Sequence, residues 1–103
     1  MGWASTYIEQ LKEGKTVQMR PKGQSMAGKI ESGQLCTVAP ILSESHIQVG
    51  DIVLCKVHGF QYLHLVTAIR RTDGPQYQIS NNRGNINGWV SAKQIYGKLI
   101  KVE

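Results

Sequence analysis

Turn signals cut most of this chain into short pieces, and their spacing constrains the fold more than any other feature. After Gly14 the breakers follow one another closely: Pro21-Lys22-Gly23, Val49-Gly50-Asp51, His58-Gly59, Asp73-Gly74-Pro75 and an Asn- and Gly-rich loop from Asn81 to Gly88. The segments between them carry the alternating or continuous apolar runs of β-strands. Strands are predicted at Thr16–Arg20, Gln34–Pro40, Ile52–Val57, Phe60–Ile69, Gln76–Ser80, Trp89–Val90 and Ile95–Val102, with His58-Gly59 as a hairpin tip.

Only the first stretch reads as helix, over about residues 4–13. Thr6 and Glu9 have capping-box spacing, in which each side chain satisfies the other's free backbone N–H. Trp3, Tyr7, Ile8 and Leu11 fall on one face, and Gly14 is a natural stop. A helix this short is not stable alone, so its apolar side must dock on the strands. The prediction is therefore one mainly β domain over residues 1–103: a short N-terminal helix, then a β-rich 16–102 forming a compact barrel or folded-over sheet. No internal repeat, linker or low-complexity stretch interrupts it.

Twelve basic residues against seven acidic ones give a net charge of +5, which suits a polyanion or an acidic protein. The charge is spread along the chain rather than gathered in one run, which reads first as a solvated surface and second as a polyanion-binding face. Arg70, Arg71 and Arg83 are the candidate nucleic-acid contacts. No apolar run approaches the twenty or so residues that span a bilayer, and the N-terminus lacks the organisation of a secretory signal. The expected setting is the cytoplasm, without a membrane partner. Cys36 and Cys55 sit in strand-like runs without Cys-x-x-Cys spacing and read as buried thiols, so neither a metal nor another cofactor is expected.

Three blocks, in order, carry a resemblance to a known family. Gly23-Gln24-Ser25-Met26, preceded by a strand and followed by Ile30-Glu31-Ser32-Gly33-Gln34-Leu35, resembles the nucleophile box of the LexA-repressor and signal-peptidase superfamily of serine peptidases (S24/S26 type). Val49-Gly50-Asp51-Ile52-Val53 is similar to the family's Gly-Asp turn leading into a strand. Asn81-Asn82-Arg83-Gly84-Asn85, with Ile95-Tyr96-Gly97-Lys98-Leu99, resembles its Asn-rich loop and closing strand. The resemblance runs from about Thr16 to Val102. It implies that Ser25 is a nucleophile, and that Gly23, Met26, Asn81 and Asn82 border the cleft.

It also implies a general base on the strand after the Gly-Asp turn. Many members carry a lysine there, but Phe60-Gln61-Tyr62-Leu63-His64-Leu65-Val66 has none, and His64 takes that place as it does in the endoplasmic-reticulum signal peptidases. Histidine suits the role because its ordinary pKa lies near neutrality, whereas a lysine must first be depressed. Two departures stand out. Ala27-Gly28-Lys29 replaces the family's usual nearby proline, and the loop from Ser80 to Gly88 holds no carboxylate to orient the imidazole. An amide or a backbone carbonyl would have to do so.

Two functions fit these residues. One is a serine peptidase-like hydrolase with a Ser25–His64 dyad, taking an extended peptide along a sheet edge. The other is a catalytically degenerate member of the same fold that binds a protein or nucleic acid, in the style of a phage accessory or inhibitor protein. With neither a helix-turn-helix nor a membrane anchor in these residues, a complete repressor or signal peptidase is not expected.

Overall fold

The structure is a computed structural model that describes residues 2–43 and 46–103. Its helix, α1 (Ser5–Lys12), buries Ile8 and Leu11, with Ala4 just before it and Tyr7 beside it. The Thr6–Glu9 capping box does not form, because the helix begins at Ser5 and leaves Thr6 exposed inside the first turn. A side chain from the sheet ties this end down instead. Gln61 Oε1 accepts from the Ala4 N–H at 2.7 Å, and Gln61 Nε2 donates to Ser5 Oγ at 3.0 Å. Trp3 also departs from expectation. It is half exposed rather than buried under the helix, and its indole N–H donates to the Gln61 carbonyl. The helix stop is as predicted: Gly14 has φ +86°, its N–H reaches the Leu11 carbonyl, and Lys15 N–H reaches that of Gln10.

Among the described residues seven strands follow: β1 (Val17–Met19), β2 (Cys36–Pro40), β3 (Ile52–Val57), β4 (Phe60–Arg70), β5 (Gln76–Ser80), β6 (Ile86–Ser91) and β7 (Ile95–Val102). They make one antiparallel sheet in the order β1-β2-β7-β3-β4-β5-β6. The predicted loop of Asn81–Gly88 is shorter than expected, since β6 already begins at Ile86. His58 and Gly59, at φ 52° and 84°, form the tight β3–β4 turn whose twist matches the strands it joins.

Central strand β3 is buried on both faces because the sheet folds over it, and the strand order ends at β1 and β6 without closing into a barrel. Ile52 and Leu54 join α1, β1, β2, Met26 and Ile30 in one core; Val53, Cys55 and Val57 join Val66, Tyr77, Ile79, Val90 and Ile95 in a second. The second core forms because β4, β5 and β6 curl over β3. Helix docking on the first depends on Gly97 in β7, where a Cβ would come within 2.7 Å of Val38 Cγ1 and 2.9 Å of Leu11 Cδ1. Cys36 and Cys55 are buried free thiols, and burial pushes the Cys55 thiol up to about 12. No helix among the described residues is long and apolar enough to cross a membrane.

Candidate active site

Between β1 and β2 the chain forms no strand, and Ser25 sits in this stretch on a turn closed by the Ala27 N–H to the Gln24 carbonyl. Two apolar side chains, Met26 and Ile30, anchor the segment in the first core. Polar latches fix the rest. The Gly23 N–H donates to Ser32 Oγ at 3.0 Å, and the Gly28 N–H donates to Glu31 Oε2 at 2.7 Å. Asn82 grips the turn from behind: its N–H reaches the Ser25 carbonyl at 2.9 Å, and its Nδ2 donates to the Ala27 carbonyl at 2.8 Å. Ser25 itself is exposed.

His64 comes from the opposite wall. It is held by the β3–β4 ladder opposite Val53, is only 7% exposed, and has Tyr62 stacked on its ring at 4.7 Å. Its Nε2 lies 3.3 Å from Ser25 Oγ, and its Nδ1 lies 2.7 Å from Asn87 Oδ1. An acceptor at Nδ1 selects the tautomer with the proton there, which leaves the Nε2 lone pair facing the serine hydroxyl. Burial pulls the His64 pKa below its ordinary value, with the Asn87 hydrogen bond working in the opposite direction. The imidazole is therefore neutral at pH 7 and able to accept a proton.

The sequence called for an amide or a backbone carbonyl of the Ser80–Gly88 loop at this place, and Asn87 of that loop supplies the amide. Ile79 pairs with Gly88 and Ser80 with Ile86, so Asn87 is the extra residue of a β-bulge on the edge strand β6. A bulge bends its strand and re-aims a side chain; here Asn87 bonds the His64 ring. The signal was weak, because an Asn two residues before Trp89 in an Asn-rich stretch reads as loop.

The other predicted residues divide. Gly23 and Met26 line a groove of about 450 Å³ with Ser25 and His64. Asn81 and Asn82 lie outside that lining and build the turn's support instead: Asn81 Oδ1 accepts from the N–H groups of Arg83 and Asn85, beside Asn82's latch. Arg70 stacks over Trp89 at 4.2 Å and bonds Gln76. It and Arg71 lie at one end of the β5–β6 hairpin, while Arg83 lies in the turn at the other end. Strand β5 alone separates these ends by roughly 13 Å. Asp51 serves the turn before β3, accepting from the Gln48 N–H and pairing with Lys98.

No protein-family model matches the chain, and no curated protein is significantly similar to it.

Proposed function

We propose that this chain is a serine hydrolase of the peptidase class that cleaves extended peptides in the cytoplasm, with Ser25 as nucleophile, His64 as general base and Asn87 as the residue that orients the imidazole. One observation carries the reading: Ser25 Oγ, both His64 ring nitrogens and Asn87 Oδ1 stand in a continuous relay of 3.3 and 2.7 Å. The serine–histidine distance is long, as such contacts often are without substrate. The resemblance of the Gly23–Met26 and Val49–Val53 blocks to LexA-like and signal-peptidase-like enzymes supports the same assignment.

In this mechanism Ser25 Oγ attacks the scissile carbonyl while its proton passes to His64 Nε2. The imidazolium then returns that proton to the leaving amine, and water, activated by the same base, hydrolyses the acyl-enzyme. Asn87 holds Nδ1–H throughout. Its amide fixes the tautomer as a carboxylate would, but adds no charge to stabilise the imidazolium. The backbone N–H groups of Ser25 and Met26 make no hydrogen bond within the described residues and are available to the developing oxyanion.

Sheet topology supports an extended substrate. Strand β4 pairs with β3 from Phe60 to Leu65, but with β5 only from Leu65 onward. The two-residue turn makes Val57–Phe60 a hydrogen-bonded pair, so Gln61 and Leu63 turn their backbone groups away from β3. The Trp3 indole takes the Gln61 carbonyl, so the open edge is at Leu63, beside His64, where a peptide strand can pair.

A serine-directed phosphonate tests the assignment. Ser25 should be labelled, with labelling rising with pH through a midpoint below the ordinary histidine value of about 6.5. Ser25→Ala should abolish labelling, and His64→Ala should reduce it by about 10²- to 10⁴-fold, the usual contribution of a general base. Equally poor labelling of all three proteins across the pH range would reject catalysis and leave a binding module for a protein or nucleic acid.

A further inference from the structure

Trp3 precedes α1 and is half exposed, yet it is firmly seated. Its indole N–H donates to the Gln61 carbonyl at 3.2 Å, and its ring meets that of Tyr7 at 6.4 Å between centroids. The backbone on either side is pressed onto the same residue of β4. Gln61 Oε1 accepts from the Ala4 N–H, and a Cβ at Gly2 would overlap that oxygen. Gln61 Nε2 donates to Ser5 Oγ, so the Gln61 side chain already ties the start of the helix to the sheet without the indole. What the indole adds is different: it occupies a backbone acceptor on a sheet edge. Gln61 and Leu63 both turn their backbone groups outward there. Leu63 N–H and C=O have no hydrogen-bond partner among the described residues, whereas the Gln61 carbonyl is taken. Trp3 lines both the groove of Ser25 and His64 and a second depression beyond it, so the ring stands at the boundary between the two.

We propose that Trp3 is a specificity-determining residue that limits how much of a peptide the β4 edge can hold. The inference rests on the reading of Ser25 and His64 as a peptidase site, and adds to it a length class of substrate. A peptide residue lying antiparallel to Leu63 can exchange both backbone hydrogen bonds with it. The residue two positions further along the peptide would lie beside Gln61, roughly 7 Å away at the rise of a strand. There the carbonyl is already bonded and the indole fills the space. The peptide therefore leaves the sheet at that point, and residues beyond it add no ladder bonds. Chain ends and tight loops, which offer only a short extended stretch, are bound as well as long strands.

The test takes a sequence cleaved from a pool of random end-capped decapeptides and rebuilds it one residue at a time on each side of the cleaved bond. Wild type, Trp3→Phe and Trp3→Ala are compared. Trp3→Phe keeps an aromatic ring beside Tyr7 and removes the donor, whereas Trp3→Ala removes both. On one side of the bond the wild-type kcat/KM should stop rising with length. Both variants should go on gaining on that same side, by about tenfold for the residue that reaches Gln61, the worth of two net hydrogen bonds. Binding gives a readout that needs no cleavage. In Ser25→Ala with bound decapeptide, amide exchange followed by NMR should slow at Leu63 and stay unchanged at Gln61. Adding Trp3→Ala should slow both. Length series that coincide in all three proteins, protection of Gln61 while Trp3 is present, or no peptide binding with or without Trp3 overturns the proposal. Phosphonate labelling of Ser25 needs no ladder bond and separates the two claims. Labelling with coincident length series removes the role of Trp3 and leaves the peptidase reading intact, whereas protection that Trp3→Ala extends to Gln61, without labelling, does the reverse.

Discussion

Ser25 and His64 meet across 3.3 Å, yet they are held by two different kinds of structure. His64 belongs to the sheet: its strand is laddered to β3, its ring is buried and stacked, and the second core packs close by. Ser25 belongs to a strandless segment tied by side-chain latches, with Met26 and Ile30 as apolar anchors. A ladder strand moves only with the sheet, whereas a latched turn can shift when one or two hydrogen bonds change. His64 is therefore the fixed side of the site and Ser25 its adjustable side. A long contact in the free protein can shorten on binding by movement of the turn alone.

The sharpest attack on this contrast is at the fixed wall. Asn87→Asp exchanges a neutral acceptor for a charged one at 2.7 Å from Nδ1 without changing side-chain size. The carboxylate should raise the His64 pKa and shift the midpoint of Ser25 labelling upward with it. Above that midpoint labelling should be faster, because the imidazolium formed during attack is then stabilised. The gain should stay below the roughly 10⁴-fold effect of acid-to-amide exchange in a Ser-His-Asp triad, since the tautomer here is already correct. An unchanged midpoint would show that Asn87 does not contact the ring in solution.

A smaller effect is expected on the adjustable wall. Asn82→Ala removes the Nδ2 latch on the Ala27 carbonyl and keeps the backbone bond to Ser25. Stability should fall by only about 1 kcal/mol, the net value of one hydrogen bond, as read from urea unfolding. Labelling should fall by more than that loss would account for, because the turn is freed relative to a base that has not moved. A stability loss of several kcal/mol with unchanged labelling would reverse the roles assigned to the two walls.

The same contrast governs what could be read from the sequence. Strands β3, β5 and β7 were legible to the residue, because Ile52–Val57, Gln76–Ser80 and Ile95–Val102 are apolar runs bounded by clear breakers. Positions Ser25 and His64 were legible through the motif and its spacing. Features made by tertiary contact were not. Gln61 replaces the local cap at α1 from fifty-seven positions away, and no local pattern announces that. Trp3 looked like a helix-face residue because spacing alone cannot tell a buried ring from one at a groove's rim. Asn87 was read as one amide of the loop and not as a strand residue, because a bulge, which suspends strand alternation, looks in sequence like an extension of the loop before it. Asn81 and Asn82 were assigned to the correct neighbourhood, but they support the turn and do not line the groove.

The smallest predicted effect concerns pH and the fixed wall alone. Burial lowers the His64 pKa, so between that lowered value and about 6.5 the unfolded chain holds a proton that the folded chain does not. Stability increases with pH wherever the unfolded state binds more protons. The contribution from His64 is therefore complete above about pH 6.5, declines as pH falls, and stops declining once the folded imidazole is also protonated. One such group changes stability by less than about 1.4 kcal/mol per pH unit. Urea unfolding of the wild type and His64→Gln across this range isolates the contribution of the imidazole, because the two proteins differ in no other titratable group. The wild type should lose more stability on acidification than the variant. Labelling of Ser25 should fall in the lower part of the same window, since a protonated Nε2 can no longer accept the serine proton. Parallel stability profiles would mean that the imidazole is as well solvated folded as unfolded, and the fixed wall would then be no more rigid than the turn it faces.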